Sequence, residues 1–275
     1  MAGRGTGRPT ILVTNDDGVH SPGLRLLYEA ASTLGRVIVL APETPKSASG
    51  LGITLHKPLR LTRLRLWGGV EVYVTNGTPS DIVYMALEEL TDHIDIVLSG
   101  VNLGDNTSIQ VILSSGTIGA AAQAALLGIP AIAYSIAIDE PEQLEADRET
   151  WRQAKRIITV TARHTLQHGG LPPPIDILSI NMPEKLTPNT PVKIAPAARA
   201  KYMQKITRGR DPRGKPLYWL YGKQLKPQPG TDVYTVHVEK AVAITPLRLD
   251  LNTTPTPDTQ KWLQELARRL GGATC

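Results

Sequence analysis

Two aspartates, Asp16 and Asp17, stand side by side in the stretch TNDDGVHSPG, residues 14–23. They follow the apolar run ILV directly, which puts them at the end of a buried strand, where adjacent carboxylates repel and lose hydration. A divalent cation would offset both costs. Asn102, Gly104, Asp105 and Asn106 follow a second apolar run, and Ser47 and Ser49 lie in a loop after a third, APETPKSASG. Oxygen donors with no histidine or cysteine among them suit a hard ion, Mg²⁺ or Mn²⁺. The plainer reading is a turn, since Asp-Gly is a common turn pair and Gly18 can take a positive φ.

A second group lies at SSGTIGAAA, residues 114–122. A Ser-Gly-Thr turn that opens a helix offers backbone N–H groups and the positive end of the helix dipole, which favour phosphate. Gly116 admits a close approach, and Ser115 and Thr117 add hydroxyls. An ordinary N-cap is the competing reading. GRGTG at residues 3–7 precedes the first strand and so fails as a dinucleotide fingerprint. His20 suits a helix cap better than acid–base work, and His164 and His168 are four apart with no third ligand in view.

The elements that must position these residues are legible as unbroken apolar runs: TILVTN (10–15), RVIVLA (36–41), IDIVLSG (94–100), PAIAYSI (130–136), IDILSIN (175–181) and AVAITPL (241–247). Strands covered on both faces look like this. Between them the sequence predicts helices over 22–35, opened by Ser21 and Pro22, over 79–90, opened by Thr78, over 116–128, and as one long segment over 141–167; another, capped by Thr256, follows at 257–270. Strands alternating with helices predict a doubly wound α/β fold with a mostly parallel sheet. In such sheets ligands bind beyond the carboxyl ends of the strands, where both candidate groups fall. From Pro191 to about position 230, Pro, Gly, Lys and Tyr dominate and predict projecting hairpins, with YWLYG (218–222) as an exposed aromatic stretch or a subunit contact.

With 275 residues, 41% of them hydrophobic, the chain has the makings of a globular protein of one large domain, or of one domain with an appendage. Thirty basic against 25 acidic residues give a net charge of +5, which suits acidic ligands. No run approaches a membrane span, and the small, basic N-terminus does not look like a secretory signal, so a cytoplasmic location is expected. Cys275 is the only cysteine, so neither an internal disulfide nor a cysteine metal site is expected. Phenylalanine is absent.

Seven blocks in order, ILVTNDDGVHSPGLRLL, VLAPETPKSASG, NGTPSDIVYMAL, DIVLSGVNLGDN, SSGTIGAAAQAALLGIPAIAYS, SINMP and AVAITPLRLDL, resemble the signatures of the SurE (survival protein E) nucleotidases across residues 10–250. The resemblance implies a Rossmann-like core and a phosphoric monoester hydrolase of the 5′-nucleotidase type, acting on nucleoside 5′- and 3′-monophosphates. It implies one Mg²⁺ or Mn²⁺ per subunit on Asp16, Asp17, Ser47 and Asn102, and phosphate contacts from Asn106, Ser115, Gly116 and Thr117, with Asp16 and Asp17 catalytic. It also implies a homodimer or homotetramer built through the C-terminal hairpins, with no membrane and no nucleic-acid polymer as obligatory partner. The expected organisation is a flexible 1–9, a Rossmann-like catalytic core at 10–195, a hairpin and dimerisation region with a returning strand at 196–250, and a C-terminal helix at 251–275. TSIQVILS (107–114) departs from the family pattern, being about one residue longer and lacking a glycine and an acidic residue. Two rivals are disfavoured by the residues. A Mg²⁺-binding receiver-like signalling module needs an acceptor aspartate where this chain has Ser99-Gly100-Val101-Asn102, and an aspartyl-phosphate phosphatase needs alternating rather than adjacent aspartates.

Overall fold

The computed structural model describes residues 7–271; residues 1–6, with most of GRGTG, and Cys275 lie outside the described residues. In chain order the elements are β1 (Thr10–Thr14), α1 (Pro22–Ala31), β2 (Arg36–Pro42), β3 (Leu61–Leu66), β4 (Val70–Thr75), α2 (Pro79–Glu89), β5 (Ile96–Leu103) and α3 (Ile109–Ile112). They continue with α4 (Gly116–Leu126), β6 (Ala131–Ile136), α5 (Pro141–Ala146), α6 (Arg148–Gln167), β7 (Ile177–Met182) and β8 (Val192–Ile194). The last are β9 (Tyr202–Arg210), β10 (Pro216–Gln224), α7 (Asp232–His237), β11 (Val242–Leu247) and α8 (Pro257–Arg269).

Nine strands form one sheet in the order β3-β4-β2-β1-β5-β6-β7-β11-β8. The six from β4 to β7 run parallel, while β3 and β11 pair antiparallel with their inner neighbours. Alternate residues of the inner strands enter two cores. Ile11, Val13, Val39 and Leu98 pack with Leu24 and Leu27 of α1 and Ala154 and Ile158 of α6. Leu12, Leu40 and Val97 pack on the other face with Ile82 and Val83 of α2 and Ile118 and Ala121 of α4. This double burial is why those strands carry no polar alternation.

From β1 the chain moves outward through β2 and β4, then returns on the other side of β1 as β5. The order reverses between β1 and β5, so their carboxyl ends flank the crevice where such sheets take ligands.

The predicted caps are present: Ser21 and Thr78 accept N–H bonds at the starts of α1 and α2, and Thr256 does so at α8. Three features differ from expectation. The helix expected to reach Gly35 ends at Ala31. The segment 141–167 breaks at Asp147, whose side chain accepts from the Thr150 N–H and hydroxyl and so caps a new helix. The β3–β4 hairpin adds two strands beyond the apolar runs, because as an edge its outer strand alternates polar and apolar residues, and β8, α3 and α7 are too short to leave a periodic signal. Among the described residues of the C-terminal side, β9 and β10 pair only with each other, β11 returns to the main sheet, and α8 buries no residue.

Candidate active site

Immediately after β1, Asn15 staples the turn that holds the two aspartates. Its Oδ1 accepts the Gly18 N–H at 3.2 Å and its Nδ2 donates to the Gly18 carbonyl at 3.1 Å. Gly18 has φ +97°, the left-handed geometry this turn requires. Asp16 is 4% exposed and Asp17 partly buried. Burial raises both carboxyls above the ordinary range; Asp17, with the Asp16 charge beside it, is pushed up to about 7. The Thr117 hydroxyl and the N–H groups of Thr117 and Gly116, at the start of α4, pull Asp16 partly back down. Asp17 Oδ2 accepts only the Leu103 N–H, at 3.0 Å. Among the described residues neither carboxylate has a cationic side chain in salt-bridge reach.

Asn102 reaches the same place through an irregularity in β5. Gly100 and Val101 interrupt its pairing with β6 between Ser99 and Asn102, a bulge of the kind that re-aims a side chain. The Asn102 Nδ2 donates to the carbonyls of Leu103, at 3.1 Å, and Gly104, at 2.6 Å. Its Oδ1 is thereby turned toward Thr117, whose hydroxyl lies 3.3 Å away.

The loop after β2 closes over this group. The Lys46 N–H donates to the Asp16 carbonyl at 2.7 Å and the Gly50 N–H to the Ser114 carbonyl at 2.9 Å. Ser47 lies exposed between these anchors. Ser49, which the sequence marks only as a second loop serine, has a buried hydroxyl without a partner among the described residues. A Cβ on Gly116 would come within 2.6 Å of that hydroxyl and 2.8 Å of Asp16 Oδ2, so glycine leaves a small polar cradle there. Ser115 caps α4 by accepting the Ile118 N–H at 3.2 Å. Asn106 is buried, with its N–H on Asn181 Oδ1 at 2.8 Å and its Nδ2 on Ser135 Oγ at 2.9 Å; one amide hydrogen remains for a ligand. Asp16, Asn102, Gly116 and Thr117 thus converge, Asp17 joins them through the Leu103 backbone, and Asn106 is fixed from the β6–β7 side. His20 is exposed. His164 of α6 and His168 just after it hold their rings tilted against each other, with centroids 4.1 Å apart.

Among the described residues no three His, Cys, Asp or Glu side chains group to hold a metal. A cation at Asp16 and Asp17 must therefore also draw on neutral oxygens, and Asn102 Oδ1 and the orphaned Ser49 hydroxyl are of the right type. The donor set fits a hard divalent ion.

Fold and site together define a doubly wound α/β protein with a paired-carboxylate site at its topological switch point, beside a helix N-terminus suited to an anion. The family model described as Survival protein SurE matches residues 11–204. The chain is 66% identical over 242 residues to a protein of Hyperthermus butylicus named 5′-nucleotidase SurE, covering 88% of this chain and 86% of that one. It is 56% identical over 246 residues to a protein of the same name from Pyrobaculum arsenaticum, covering 90% and 92%. The crystal structure of the SurE protein from Aquifex aeolicus superposes with a TM-score of 0.74 at 29% identity, covering 95% of this chain and all of that one. The chain belongs to the SurE family.

Proposed function

We propose that this chain is a phosphoric monoester hydrolase of the 5′-nucleotidase type, releasing phosphate from nucleoside 5′- and 3′-monophosphates. The observation that carries the reading is the pair of carboxylates, Asp16 buried and Asp17 partly buried, with no cationic partner among the described residues and set beside the Gly116 cradle at the start of α4. One Mg²⁺ or Mn²⁺ per subunit would be held by Asp16, Asp17, Ser47 and Asn102. Bound there, it would polarise the phosphoryl group and acidify a water.

The protein's own contributions follow from the hydrogen bonds. The start of α4 at Ser115, Gly116 and Thr117, whose N–H groups at Gly116 and Thr117 face Asp16, would present its dipole to the phosphoryl oxygens, where charge must be stabilised as the ester bond breaks. The remaining Asn106 amide hydrogen adds a donor from the opposite side. Thr117 fixes Asp16, whereas one Asp17 oxygen has no hydrogen bond among the described residues and would be the one to take the proton of the attacking water. Asn15 and Leu103 keep both carboxylates in position.

Assembly as a homodimer or homotetramer through the β9–β10 arm and α8 belongs to the same reading. Tyr218, Trp219 and Leu220 of β10, Trp262 of α8 and Leu270 just after it are exposed, apolar side chains of the kind a subunit contact covers. No helix among the described residues is long and apolar enough to cross a membrane. A cytoplasmic location, with no nucleic-acid polymer as obligatory partner, completes the proposal. The test is a phosphate-release screen across nucleoside 5′- and 3′-monophosphates and polyphosphates, with EDTA or with added Mg²⁺ or Mn²⁺. Cation-dependent release from monophosphates is expected; no release from any of them would overturn the reading.

A further inference from the structure

The loop that carries Asn106 is tied to the foot of the β9–β10 arm by a set of buried bonds. Asp105, 5% exposed at its side chain, accepts from Lys201 Nζ at 2.5 Å and from His237 Nε2 at 2.9 Å, and from the Thr107 hydroxyl as well. Lys201 is itself 4% exposed at its side chain. The Gln110 Oε1 accepts the N–H of Lys201 at 3.2 Å and of Tyr202 at 2.9 Å, and its Nε2 donates to the Tyr202 carbonyl at 3.1 Å. Asp232 of α7 accepts the N–H of Ser108 and of Ala198, each at 2.8 Å. The Ile109 N–H donates to the Ala198 carbonyl at 2.7 Å. Ser108 has φ +73°, a left-handed backbone that a serine adopts only where its surroundings hold it.

A buried ion pair is weak evidence for stability by itself, because desolvation of both ions opposes their attraction. Burial alone would raise Asp105, yet the His237 bond and the Lys201 charge outweigh it and hold the carboxyl well below the usual carboxylate range. Burial likewise lowers Lys201, and the Asp105 charge reverses that, leaving it above an ordinary lysine. Both ions stay charged, and both lie at a junction of three segments: the loop after β5, the strand entering the arm, and α7. Asp105 is adjacent in sequence to Asn106, so fixing one fixes the backbone of the other.

We propose that Asp105, clamped by Lys201 and His237, is a positioning residue for the phosphate end of the site, so that the seat of the β9–β10 arm sets how well Asn106 meets the phosphoryl group. This rests on the nucleotidase reading. The clamp acts first on the anion side, since Lys201 and His237 bond no oxygen of Asp16, Asp17 or Asn102 among the described residues and reach the cation side only through the backbone, at the Asn102 bond to the Gly104 carbonyl. Arm and phosphate site become one mechanical unit, and whatever seats the arm tunes phosphate affinity.

The experiment uses the full chain and inorganic phosphate, titrated calorimetrically into Mn²⁺-loaded protein, beside Mn²⁺ titrations without phosphate and amide hydrogen exchange over residues 102–110. Asp105→Asn and Lys201→Met should each weaken phosphate binding about tenfold and speed exchange in that loop, while Mn²⁺ affinity stays within about twofold. Lys201→Arg should recover most of the phosphate affinity. His237→Ala, at a part-exposed position, should weaken phosphate about threefold and serves if the other two variants do not fold. Unchanged phosphate affinity in folded variants, or an equal loss of Mn²⁺ and phosphate affinity, would overturn the clamp and leave the nucleotidase reading standing. A wild-type chain that binds no phosphate would overturn both.

Discussion

Replacing Asp17 by Asn should stabilise the cation-free protein while abolishing hydrolysis. Burial and the neighbouring Asp16 push the Asp17 carboxyl from 3.8 to about 7. The folded state therefore favours the protonated acid. Below about pH 4 the carboxyl is protonated in both states and nothing is lost. As pH rises toward the folded value, the unfolded chain releases its proton first, and the folded state falls behind until about pH 7. Each pH unit of difference is worth about 1.4 kcal/mol, so ionised Asp17 costs the cation-free protein on the order of 4 kcal/mol at pH 8. The asparagine amide keeps an oxygen for the Leu103 N–H and carries no charge. The Tm of Asp17→Asn in EDTA should thus exceed that of the wild type by roughly 7–10 °C at pH 8, with the gain vanishing near pH 4. Added Mn²⁺ should close the gap at pH 8 by stabilising the wild type, because an ion that binds only the folded state shifts the equilibrium toward it. The assay is differential scanning fluorimetry across pH, with and without Mn²⁺. A Tm difference independent of pH, or a less stable variant at pH 8 in EDTA, would refute the electrostatic reasoning.

Two further outcomes are expected. Gly116→Ala places a methyl 2.6 Å from the Ser49 hydroxyl and 2.8 Å from Asp16 Oδ2, filling the cradle; phosphate release should fall at least about 100-fold with the far-UV circular dichroism unchanged, and near-normal turnover would count against the cradle. Trp219→Glu puts a charge on the exposed β10 face, and size-exclusion chromatography with light scattering should show a smaller species than the wild type; an unchanged mass would remove that face from the subunit contact.

The sheet and its central helices were legible because burial on both faces writes itself as unbroken apolar runs, and the helix starts because Ser21, Thr78 and Ser115 are caps with local chemistry. Asp147 escaped notice for the opposite reason: an aspartate inside a periodic stretch reads as a solvated face, and only the bonds to Thr150 reveal a cap. The site's two halves were visible, one as strand-end residues and the other as a Ser-Gly-Thr helix start, since the switch point fixes where such residues gather. The orientation of Asn102, set by a β5 bulge, leaves no local mark in sequence. The orphaned Ser49 hydroxyl was just one of two loop serines until the loop's anchors at Asp16 and Ser114 placed it. The Asp105–Lys201–His237 cluster was invisible because its members are up to 132 residues apart and none belongs to a periodic pattern.

The most direct measurement is phosphate release from a nucleoside 5′-monophosphate by chelator-stripped wild-type protein and by Asp16→Asn, before and after Mg²⁺ or Mn²⁺ is restored. The account predicts a silent stripped wild type that recovers with the cation, and a variant that stays about 1,000-fold or more below it with either ion. Full turnover by Asp16→Asn, or by the stripped wild type in EDTA, would contradict the assignment of the paired aspartates as the catalytic, cation-holding half of the site.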